Sequence, residues 1–121
     1  MTENKKFKTY DLEDRTQNFA KRVRDFIKIL PKSIANNEDG KQVIRSSGSV
    51  AANYIEANEA LSKKDFIMRV KICRKEAKES RLWLNLLNLN NLIKLEVQRQ
   101  ELIKEATELM NIFGSIIRKS E

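Results

Sequence analysis

Apolar residues return every three or four positions along almost the whole of this chain, from Leu12 to Ile117, and only one proline, Pro31, interrupts them. That period is the period of an α-helix, because residues three and four apart share a helix face. From Asp11 to Leu30 the stripe is Leu12, Phe19, Ala20, Val23, Phe26, Ile27 and Leu30. Pro31 ends this segment, since the residue before a proline is pushed out of the helical region. The stretch PKSIANNEDG, residues 31–40, is rich in turn formers and reads as the clearest link. A second segment follows, with Val43, Ile44, Ser47, Val50, Ala51, Tyr54, Asn58 and Leu61 on its core side. SKKD at Ser62 to Asp65 resembles a capping box with Asp in the usual Glu or Gln place, so Ser62 is expected to cap a third helix reaching about Asn88. Its core stripe is Phe66, Val70, Cys73, Ala77, Leu84 and Leu87, and NLNN, residues 88–91, marks the last turn. A fourth segment, from Leu92 or Lys94 to Arg118, turns Leu95, Leu102, Ile103, Ala106, Leu109, Met110, Phe113, Ile116 and Ile117 to one side.

Four helices of similar length, each roughly 30 Å at 1.5 Å per residue, suit an all-α, antiparallel up-down four-helix bundle. The 121-residue chain is of single-domain size, with three Gly and one Pro, a balance that favours helix over sheet. Residues 1–9 read as a flexible basic tail and 10–121 as one domain. A lone Cys73 cannot close an internal disulfide, no leader-like segment precedes Tyr10, and no apolar run reaches membrane-spanning length, so a soluble cytoplasmic protein is expected.

Histidine is absent, which removes the commonest general base, the commonest zinc ligand and every Ser/His or Cys/His pairing. Neither a cofactor nor a metal is implied. RSSGSVAANYIEA, Arg45 to Ala57, puts three serines around a glycine, but no strand precedes it and no GK[ST] follows, so a phosphate loop or nucleophile elbow does not fit. Non-enzymatic function is expected. On a helix the same stretch gains order: Ser46, Ser49, Asn53, Ala57 and Ala60 form a face of small residues with Arg45 and Glu56 beside it. That face is either a close contact with another helix or an ordinary solvated surface.

The charge of +7 fits a polyanion partner, and it is concentrated. Eight basic and three acidic residues in 63–81 give a local net of +5, with Lys64, Lys71, Arg74, Lys75, Lys78 and Arg81 gathered opposite the core stripe. Such a row either contacts a phosphate backbone or is a solvated lysine face. A third stripe on the same helix, Met68, Ile72, Trp83 and Leu86, marks either a protein contact or a wider core. Together with Ser46, Ser49 and Ala57 it forms the expected oligomer interface.

RSSGSVAANYIEA followed by LSKKDFIMRVKICRKEAKESRLWL resembles the four-helix-bundle proteins encoded in intervening sequences of bacterial 23S ribosomal RNA genes. The similarity runs from Tyr10 onward and includes YDLEDRT, the Pro31 break and the basic third helix. Its signature, an arginine, a serine, then Asn-x-x-Glu, is matched by Arg45, Ser49, Asn53 and Glu56; Ala57 and Ala51 depart from the Gly, and the Pro or Gly, of many relatives. The resemblance implies a bundle assembling as a ring, a homopentamer, and a similarity to the basic accessory protein of diversity-generating retroelements, which engages nucleic acid and a reverse transcriptase. Binding of nucleic acid, RNA foremost, is the first expectation; a scaffold recruiting a partner enzyme is the second. Arg45, Ser49, Asn53 and Glu56 are expected to form one polar network.

Overall fold

The computed structural model describes residues 2–121, with side chains from Leu12 onward; the tail expected at residues 1–9 lies outside the described side chains. Four helices follow one another: α1 (Thr2–Lys28), α2 (Ile34–Asn58), α3 (Lys63–Leu86) and α4 (Ile93–Ser120). They pack as a four-helix bundle in which α3 lies between α2 and α4 with broad contact to both, while α1 leans on α2 and meets α4 only thinly. Between α2 and α3, partners rise in number along one helix as they fall along the other: Arg45 meets Glu76, Cys73 meets Val50, and Arg69 meets Asn53.

The first link is much shorter than the run of turn formers led one to expect. Extended Ser33 caps α2, its Oγ accepting from the Asn36 amide at 3.0 Å, and Asn36, Asn37, Asp39 and Gly40 are already helical. The physical reason is tertiary. Asn36 is buried, and its side-chain amide donates to the carbonyls of Pro31 (2.9 Å) and Asn88 (2.8 Å) while its Oδ1 accepts from the Asn88 amide (2.9 Å). One side chain thus ties the α1–α2 link to the α3–α4 link. Gly40 is buried where α1 comes close; a Cβ there would stand 3.2 Å from Ile27 Cγ2, tighter than ordinary packing.

Ser62 caps α3 as its spacing predicts, accepting from the Asp65 amide at 3.0 Å. Leu61 is fully exposed and Asn58 is exposed, since α2 stops at Asn58 before its stripe can bring Leu61 inward. In the third link Asn90 and Asn91 take left-handed backbone (φ 53° and 60°), a region asparagine tolerates better than most residues. Leu87 and Leu89 turn back into the core there. The end of α3 is closed from α4: Arg99 donates to the carbonyls of Leu84 (3.4 Å) and Leu87 (2.5 Å) and grips Glu96, whose carboxyl it holds down to about 2, with Gln100 assisting. Arg15 closes the thin α1–α4 side with two hydrogen bonds to Glu105 and one to Glu108, all 2.8 Å.

The core follows the stripes: Phe19, Val23 and Phe26 meet Val43, Val50, Val70, Leu84, Leu109 and Phe113, all essentially inaccessible, and Tyr54 leans on Phe113 with ring centroids 6.0 Å apart. Phe66, expected in the α3 stripe, is only half-buried. Cys73 is wholly buried with its Sγ 3.5 Å from the Val50 carbonyl, and burial pushes its thiol up to about 12. A thiol reagent at pH 8 should leave native protein unlabelled and label it fully in denaturant, because the thiolate is the nucleophile. An unfolded thiol loses its proton near 9 while the folded one holds it to about 12, so stability should fall across that window, read as a drop in the urea midpoint. Rapid native labelling would contradict this placement.

Candidate functional site

The basic face is built by α3, whose register turns Val70, Cys73, Ala77 and Leu84 inward and leaves Lys64, Lys71, Arg74, Lys75 and Lys78 exposed. Arg81 sits at the margin, half-buried, and donates to Thr107 Oγ1 of α4 at 3.3 Å. The local acids do not neutralise this face. Glu76 is bound by Arg45 at 3.1 Å, Glu79 by the same arginine at 3.5 Å, and Asp65 faces Arg69 at 4.0 Å. Both glutamates are drawn to the α2 side by Arg45, and Asp65 stays on α3 beside Arg69. Among the described residues the one carboxylate near the lysines is that of Glu121, 3.7 Å from Lys71.

The neighbours of Glu76 on its own helix offer it Lys75 as a cation. It pairs instead with Arg45 across the α2–α3 seam, because its position turns it inward, leaving its side chain 7% accessible. The polar network expected of Arg45, Ser49, Asn53 and Glu56 divides in two. Arg45 takes Glu76 and Glu79, whereas Asn53 donates to Ser49 Oγ and carbonyl (both 3.0 Å) and accepts from Arg69 at 3.1 Å. Glu56 is exposed and belongs to neither group, although it lies on the same flank of α2 as Arg45 and Ser49.

The face of small residues in α2 does meet another backbone closely, and it is that of α3 in the same chain. Ser46 is wholly buried, its Oγ 2.7 Å from Ser80 Oγ. Each hydroxyl also has a carbonyl of its own helix within reach, Ser80 that of Glu76 at 2.9 Å and Ser46 that of Val43 at 3.4 Å. Ala57 is 2% exposed in the core. Ser46 and Ala57 therefore have no surface to offer a second copy, which corrects their place in the expected oligomer interface; Ser49 is half-buried and occupied by Asn53. Of the apolar strip, Met68 and Leu86 are about half exposed and Ile72 and Trp83 partly covered. Sequence reasoning missed Asn36, Ser80 and the buried place of Glu76. The one available signal was Ser80 and Glu76 falling next to the core stripe on the helical wheel.

Among the described residues no cluster of His, Cys, Asp or Glu could hold a metal ion, and no helix is long and apolar enough to cross a membrane. Fold and face together define a small four-helix bundle that presents an unneutralised lysine surface. Within that class, the chain belongs to the 23S rRNA-intervening sequence protein family, whose family model matches residues 8–115. The crystal structure of a protein of unknown function from the S23 ribosomal protein family of Bacteroides thetaiotaomicron is similar: TM-score 0.70 and 32% identity, covering 88% of this chain and 97% of that one. No curated protein matches the chain.

Proposed function

We propose that the protein is a non-enzymatic, cytoplasmic, oligomeric bundle, with helices antiparallel, that binds nucleic acid, RNA foremost, through α3. The observation that carries this reading is the segregation of charge on one helix: its acids are taken up by arginines at the α2 seam, and Lys64, Arg74, Lys75 and Lys78 stand exposed with no carboxylate partner among the described residues. A row of like charges raises its own energy, and neutralisation by phosphates with release of counterions lowers it. No aromatic is interleaved with these lysines for base stacking, so recognition rests on backbone charge and shape, with low sequence specificity. Repetition of the face around a ring of copies, a homopentamer in the resemblance, multiplies the contacts.

Fluorescence anisotropy with structured RNA and duplex DNA across a salt series tests the reading. Lys71→Glu/Arg74→Glu/Lys78→Glu should weaken RNA binding by at least roughly tenfold and flatten the log–log salt slope by about 3, from three lost phosphate contacts on a duplex. Unchanged affinity would sink it. The half-exposed Met68 and Leu86 support a second reading, a scaffold recruiting an enzyme such as a reverse transcriptase. Absence of binding at low salt, with a protein partner that survives nuclease treatment, would favour that reading.

A further inference from the structure

The outward face of α3 carries a pattern that neither the core nor the lysine surface uses. Met68, Ile72, Lys75, Glu79, Leu82 and Leu86 follow one another at intervals of four, three, four, three and four residues. That is the spacing of a coiled-coil seam, which keeps six side chains in line on one side of a helix. Among the described residues no helix lies against this seam. Met68 is 48%, Leu82 50% and Leu86 52% exposed, Lys75 is exposed, and Ile72 and Glu79 are partly so.

The series of intervals reads the same from either end, and the chemistry follows the same symmetry. We propose that this seam is an isologous docking surface for a second copy of the chain, with two α3 helices packed antiparallel about a two-fold axis. In that register Met68 lies opposite Leu86 of the second copy, Ile72 opposite its Leu82, and Lys75 opposite its Glu79. Each apolar position meets an apolar one and each charge meets its opposite, twice over. The parallel in-register arrangement would set Lys75 against lysine and Glu79 against glutamate, so the two central charges select both register and direction. Glu79 keeps one bond to Arg45 at 3.5 Å and is still 39% exposed, which leaves its carboxylate available.

The pairing rests on the oligomeric part of the proposed function and deepens it. The two-fold axis leaves Lys64, Lys71 and Lys78 of both copies on the same side, joining two basic faces into one surface, and in the paired form Lys75 leaves the phosphate-facing row for the seam. A seam of six residues spans about 27 Å, far short of the 20 to 30 residues a side of a standard interface. The pair is therefore weak and reversible. With a separate ring-closing contact it gives paired rings and even copy numbers; without one it gives a dimer.

Sedimentation equilibrium of the full chain over a wide concentration range, with helicity checked by circular dichroism, tests the pairing. Lys75→Glu and Glu79→Lys should each weaken association at least roughly tenfold, and the two together should restore it to within roughly threefold. Met68→Cys/Leu86→Cys should oxidise to a covalent dimer, and Met68→Cys alone should not. A native chain that stays monomeric, a single ring indifferent to the charge reversals, or a double reversal without recovery would overturn the seam. Because the RNA test alters Lys71, Arg74 and Lys78 instead, either idea can fail while the other stands.

Discussion

Asn36→Leu should lower the stability of the bundle by about 3 kcal/mol, seen as an earlier urea midpoint at unchanged slope and a melting temperature roughly 10 °C lower. Asn36 is 4% exposed, and leucine has similar bulk, so little packing is lost. What goes is the set of three hydrogen bonds that satisfies the Pro31 carbonyl and both backbone groups of Asn88. Each group left without a partner costs on the order of 1–3 kcal/mol, and these part-buried groups fall toward the lower figure because water reaches some of them. The neighbouring Asn37 is exposed, so Asn37→Leu should change stability by no more than about 0.5 kcal/mol. Asn36→Asp is the sharper comparison. It keeps the acceptor for the Asn88 amide but sets a carboxylate against two carbonyls, and should cost at least as much as leucine. If Asn36→Leu were as stable as the native chain, the clamp between the two links would not hold the bundle's end together.

The same residue shows what a sequence can and cannot disclose. Helices and core were legible because a 3.6-residue period is a local property: Val70, Cys73, Ala77 and Leu84, or Leu102, Ala106, Leu109 and Phe113, declare a buried face without reference to anything else in the chain. The Ser62 cap was legible for the same reason. Asn36 looked like a loop residue because asparagine competes for backbone hydrogen bonds near turns. It does so here, yet from inside the first turn of a helix, and its partner Asn88 stands 52 positions away. Glu76 was hidden likewise. Its neighbours in sequence are Lys75 and Ala77, whereas the arginine that binds it comes from α2. Small residues around Ser46 left open a close approach or a solvated face, and that the backbone of α3 in the same chain approaches is a matter of topology. The exposed lysines of α3 were legible as a face; that their acids are tied up elsewhere was not.

Arg45→Leu should destabilise the protein by about 2 kcal/mol, and Glu76→Leu by much less, an asymmetry set by where the two ends of the pair sit. The Glu76 side chain is 7% accessible and that of Arg45 53%. Removing the arginine leaves a carboxylate in the protein interior without its cation, a loss that reaches about 3–5 kcal/mol for fully buried pairs and is smaller here because one partner is half in water. Removing the glutamate orphans nothing: Arg45 keeps Glu79 at 3.5 Å and its contact with solvent. The double variant should therefore resemble Glu76→Leu alone, giving a coupling of about 1–2 kcal/mol in a double-mutant cycle. Arg45→Lys should fall between, since a single ammonium cannot span Glu76 and Glu79 as the guanidinium fork does. Glu56→Ala, at the exposed end of the same signature, should be close to neutral. Equal losses for Arg45→Leu and Glu76→Leu would mean that the carboxylate is as well solvated as the arginine, and that the α2–α3 seam is held by Ser46, Ser80 and the apolar stripe alone.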